Sequence, residues 1–191
     1  MNEKRIGIVY AVGVLFFLFS MGLCNTVLAD TWRTEKVDAP KYVTSMSSRA
    51  IALEKGTDYP HAVYGGDHLY HALFNGTSWS YETVDASDQV GGGAAIAVDW
   101  NNKVHISYYD GVNKDLKYAT NASGVWVVTT VDSTGDVGQF TCIAVDANNY
   151  AHISYRDVTN AAVKYATNKS GSWTTTTFTW LTTWFRGATC G

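Results

Sequence analysis

The 191 residues are 46% hydrophobic, 14% aromatic and 16% charged, too apolar for a disordered chain and long enough for one globular domain. Two prolines and three cysteines exclude a collagenous chain or a small disulfide scaffold. A formal net charge of −3 and the absence of any Lys/Arg run leave nothing to track a phosphate backbone, so no nucleic acid partner is expected.

The chain opens as an export leader. A charged head (Glu3, Lys4, Arg5) precedes 18 uncharged, mostly apolar residues from Ile6 to Leu23, and Val27 and Ala29 then fit the small-x-small cleavage rule. Residues 1–29 are expected to be a signal peptide and residues 30–191 the mature chain, secreted or held in the cell envelope. A membrane contact is expected only if the leader stays uncleaved, since 18 apolar residues sit at the lower limit for a bilayer span. Cys142 stands where the preceding copy of a repeat has Ala95, so it reads as a small buried residue, and no disulfide with Cys190 is predicted.

The repeat is the dominant signal in the chain. Trp32, Trp79, Trp126 and Trp173 fall 47 residues apart, and residues 95–126 laid over 142–173 give 20 identities in 32 positions without a gap. A more degenerate copy runs from Ile51 through His61 and Leu69 to Trp79. Each unit reads as four short strands. In the middle unit Ile96 to Asp99 is apolar and β-branched, and Asp99 to Asn102 supplies turn residues. Val104 to Tyr109 alternates with the period of a half-buried strand, Leu116 to Thr120 follows, and a turn at Asn121 to Gly124 leads into Trp126 to Asp132.

Four antiparallel strands in about 47 residues is the size of a propeller blade. The expected fold is therefore all-β, a partial β-propeller of about three four-stranded antiparallel blades. They are placed near residues 51–85, 95–132 and 142–179, with an orphan fourth strand at 32–38. The run His105 to Asp110 (His-Ile-Ser-Tyr-Tyr-Asp), followed by Leu116 to Ala119 and a Gly-x-Trp turn, resembles the tandem repeats of exported microbial proteins with sialidase-like, or BNR-like, blades. Lectins, adhesins and hydrolases share such blades. The resemblance implies, for a sialidase, three arginines around an acidic sugar and a tyrosine nucleophile. Of the mature arginines Arg33, Arg49, Arg156 and Arg186, only Arg156 lies within the motif, and the Asp-box turn of those blades is not matched.

Three blades leave a ring incomplete, because closed propellers have about 4 to 8. Self-association, or further blades, is expected to cover the end faces. The repeated His61, His105 and His152 read as residues tying strands together, since a catalytic group is needed once and these recur in every unit. Asp99 and Asp146 read as hairpin turns. No catalytic residue, cofactor or metal is expected. The function expected is an exported, non-enzymatic module that binds a carbohydrate or cell-surface ligand between blades, with Trp79, Trp126, Trp173 and Arg156 as candidate contacts. The alternatives are a truncated fragment of a sialidase-like glycoside hydrolase and a purely structural adhesin or scaffold.

Overall fold

In a computed structural model of the chain, the structure describes residues 46–178. The leader, the expected orphan strand 32–38, Cys190 and the residues after Phe178 lie outside the described residues.

The described residues fold into twelve strands and no helix. They are β1 (Ile51–Leu53), β2 (Pro60–Gly65), β3 (Leu69–Phe74), β4 (Trp79–Asp85), β5 (Ala95–Val98), β6 (Val104–Asp110), β7 (Asp115–Thr120), β8 (Val127–Asp132), β9 (Val137–Val145), β10 (Ala151–Asp157), β11 (Ala162–Thr167) and β12 (Thr174–Thr177). Three sheets result, each a four-stranded antiparallel meander in sequence order, β1 to β4, β5 to β8 and β9 to β12. The first strands of successive sheets adjoin one another, and Ile96 N–H donates to the Arg49 carbonyl across the first such junction at 3.1 Å. The outermost strand β12 is exposed throughout. Radial sheets with neighbouring inner strands are blades, and the protein is a partial β-propeller.

The blades pack face to face through two apolar cores. Val63, Leu69 and Val84 of the first blade meet Ile96, Ile106, Tyr108 and Ala119 of the second. Leu116 and Tyr118 on the other face of the second blade meet Ile143, Ile153, Tyr155 and Ala166 of the third. This corrects the half-buried reading of Val104 to Tyr109. In β6 the alternate residues His105 and Ser107 are as buried as Ile106 and Tyr108, because a blade with two neighbours has no solvent face. The equivalent β10 lacks a following blade among the described residues. It alternates as expected, with Ile153 and Tyr155 buried and Ser154 and Arg156 exposed.

Turn chemistry sets the register. Asp99 Oδ1 accepts the N–H groups of Asn101 and Lys103 at 2.7 and 2.8 Å, while Asn102 takes φ 57°. Asp146 repeats this with Asn148 and Tyr150 at 2.9 and 3.0 Å. The link between blades crosses the preceding sheet at a glycine. A Cβ on Gly138, at φ +107°, would lie 2.7 Å from Leu116 Cα, and one on Gly91 would lie 2.8 Å from the His68 carbonyl oxygen. The third sheet begins at Val137, earlier than residue 142, because β9 continues through an irregular register until Val137 faces Asp157.

Candidate functional site

Two polar motifs repeat between and within blades. At each described junction an aspartate ending a fourth strand receives two donors from the next blade. Asp85 Oδ2 accepts Tyr108 Oη at 2.6 Å and Lys117 Nζ at 3.2 Å, and Asp132 Oδ2 accepts Tyr155 Oη at 2.6 Å together with Lys164 Nζ. Burial would raise the Asp85 carboxyl, but the bonds from Tyr108 and Ser87 and the Lys117 ammonium outweigh it and bring it down to about 2. Burial in turn pushes the Tyr108 and Tyr155 phenols up, so both remain donors.

Inside each blade a histidine ties the second strand to its neighbours. His105 Nδ1 lies 2.5 Å from Tyr118 Oη and its Nε2 lies 3.4 Å from Asp99 Oδ2. His152 makes the matching pair with Tyr165 at 2.6 Å and Asp146 at 3.3 Å. Burial lowers the His105 pKa, partly offset by Asp99, which keeps the ring neutral. Tyr118 then donates to Nδ1 and Nε2–H donates to Asp99. The first blade departs from this, with His71 in the place of the tyrosine. His61 Nδ1 meets His71 Nε2 at 2.8 Å, and the two outer nitrogens meet Glu54 at 3.2 Å and Glu82 at 2.8 Å. These groups recur from blade to blade and link strands to one another, buried at His61, His71 and His105 and partly exposed at His152 and Asp146. Among the described residues no cluster of three or more His, Cys, Asp or Glu is placed to hold a metal ion.

A cleft of about 520 Å³ opens where the inner strands of all three blades begin. Its walls are the same short segment taken three times: Met46 to Arg49 before β1, Gly92 and Gly93 before β5, and Gly138 to Thr141 in β9, with Tyr109 at one side. The repeat gives this site its asymmetry. Where the second blade has Gly92 and Gly93, the third has Gln139 and Phe140. Phe140 is 78% exposed and holds φ 53°, a left-handed backbone that a bulky residue rarely adopts. The Arg156 guanidinium carbon lies 5.9 Å from the centre of its ring. Tyr109, the second blade's counterpart of Arg156, donates to Asp136 at 2.9 Å.

No family model matches the chain, and no curated protein matches it. Among solved structures it is similar to a fucose lectin from Kordia zhangzhouensis in complex with methyl-fucoside. The identity is 16% and the TM-score 0.46, over 68% of this chain and 98% of the lectin.

The residues singled out in the sequence separate into two places. Trp126 packs edge-on against His71 of the blade before it, ring centres 5.5 Å apart. Trp173 does the same against Tyr118 at 4.9 Å. Trp79 belongs to the apolar cluster on the leading face of the first blade, 5.5 Å from Phe74. All three indoles are half-buried, recur at equivalent positions, and do not line the cleft. Arg156 stands beside the cleft through Phe140. Cys142 is a free, partly buried thiol. Sequence reasoning missed Phe140 and Gln139, and the available signal was the replacement of two glycines by large residues at one point of the repeat.

Proposed function

We propose that this chain is an exported carbohydrate-binding propeller segment that takes its ligand in the cleft at the start of the inner strands. The single observation supporting this is Phe140, an apolar ring held out in water at a strained backbone angle, at the mouth of a cleft lined by hydroxyls, an amide and a guanidinium. A sugar ring offers an apolar face and a rim of hydroxyls, and it fits a flat aromatic bordered by donors and acceptors. Phe140 supplies the platform. Arg49, Arg156 and Gln139 supply donors and the Ser48 hydroxyl can donate and accept, whereas Ser47 and Thr141 already give their hydroxyl protons to Ala94 O and Ser107 Oγ and offer only acceptor capacity. In this reading Trp126 and Trp173 keep their places between blades and Arg156 is the sequence candidate that joins the site.

The test is a glycan array followed by titration calorimetry on the best hits, with methyl-fucoside among the probes. Phe140→Ala is expected to lose at least about tenfold in affinity while the melting temperature stays nearly unchanged, because the ring is exposed and alanine keeps the Cβ that carries the cost of the positive φ. Unchanged affinity in Phe140→Ala would place the ligand elsewhere and sink the assignment. An array without any hit would favour the structural scaffold.

A further inference from the structure

The leading face of the first blade buries a hydroxyl that has no hydrogen-bond partner among the described residues. Tyr64 is 4% exposed and stacks on Tyr70 at 5.5 Å, with Ala72 and Trp79 in the same cluster. That hydroxyl is its Oη. Burial, with Tyr81 and Tyr70 adding to it, pushes this phenol up to about 12, so it is a donor wanting an acceptor.

The two later blades show what occupies that place. Tyr64, Tyr108 and Tyr155 hold the same position on β2, β6 and β10, by pairing with Tyr70, Lys117 and Lys164. Tyr108 gives its proton to Asp85 and Tyr155 to Asp132, 23 residues earlier in both cases. Both acceptors close a seven-residue run that starts with Trp and ends Val-Asp, Trp79 to Asp85 and Trp126 to Asp132. A third such run, Trp32 to Asp38 (Trp-Arg-Thr-Glu-Lys-Val-Asp), precedes the first blade by the same 47-residue step. From the aspartate to the small residue at the matching place in the inner strand, Ala95 or Cys142, is 10 residues in both later units, 85 to 95 and 132 to 142. From Asp38 to Ala50 it is 12, so the chain has length to spare.

We propose that Asp38, which closes the run Trp32 to Asp38, supplies the carboxylate that accepts the Tyr64 Oη hydrogen, so that the chain itself provides the partner its first blade lacks. The lysine of the later junctions is replaced by Tyr70, which already donates to Asp67 at 3.1 Å, so the bridge here is carboxylate and phenol alone. Pro40 stands where Ser87 and Thr134 give their N–H groups to their own aspartates, and it has no N–H to give.

The test is a double-mutant cycle in the full chain, read by urea unfolding. Asp38→Ala and Tyr64→Phe are each expected to lower the folding equilibrium constant roughly tenfold, and the double variant no further than the worse single one. Additive effects, or a silent Asp38→Ala, overturn the proposal. A second measurement does not depend on fully stable variants: Asp38→Cys with Tyr64→Cys, in a chain with Cys24→Ser, Cys142→Ala and Cys190→Ser, oxidised and run on a non-reducing gel. A cross-linked monomer supports the proposal. A cross-linked dimer shows that a second copy supplies the run, and no cross-link shows that the two residues do not meet; either result overturns it.

Discussion

Asp85 shows how one buried carboxylate can tie two sheets together. It stays ionised because Tyr108, Ser87 and Lys117 direct their protons at it, and a carboxyl held below its unfolded value of about 3.9 contributes stability that is present above that pH. That contribution is lost as pH falls from about 4 toward the folded value of about 2. Tyr108→Phe is therefore expected to cost roughly 1 to 2 kcal/mol at pH 7, with the difference from the unmodified chain shrinking across that window in urea titrations. The histidines act at higher pH. Burial lowers the His71 and His105 pKa values, so the native state binds fewer protons than the unfolded chain, and stability falls as pH drops below about 6.5. In the first blade three hydrogen-bonded links join Glu54, His61, His71 and Glu82 where each later blade has two, and burial disfavours a charge on His71 within that chain. His71→Tyr installs the arrangement of Tyr118 and Tyr165. It is expected to stabilise the fold by about 0.5 to 1 kcal/mol, with a larger gain at pH 5 than at pH 7 in thermal melts, because one buried base is gone.

At the level of strands, most of the fold could be read from the sequence. Apolar alternation and Asp/Asn turns located the hairpins because both arise from neighbours along the chain, as the Asp99 and Asp146 turns show. What could not be read was the covering of the second face of β6, since that depends on which blade lies alongside and leaves no mark on the period. The lysines at 117 and 164 were visible as identities, but nothing local says that they reach an aspartate 32 residues earlier. The cleft was missed for a related reason. Gln139 and Phe140 precede the matched segment, and their counterparts are glycines, so alignment by identity passes over them. The linkers themselves are tightly constrained. Gly138→Ala would force a Cβ against Leu116 Cα at a positive φ, and a loss of roughly 2 to 3 kcal/mol is expected in chemical denaturation, whereas Gly124→Ala in an open turn pays only for its φ of 93°.

Across all the described residues, the first and third blades are unlike. The leading face of the first blade buries a tyrosine pair and carries Trp79, whereas the far face of the third presents Ser154, Arg156 and the half-buried His152 and Tyr165. The first resembles a core surface and the second a wetter one. Every described junction has the same handedness, an acceptor from the earlier blade and donors from the later one. The bridging tyrosine sits 23 positions and the lysine 32 positions after their shared aspartate, both inside a 47-residue period. A tandem duplication of one whole period would therefore carry one complete lock and one complete key into the gene. Such an array can lengthen or shorten by entire modules without any neighbouring residue having to evolve a new fit.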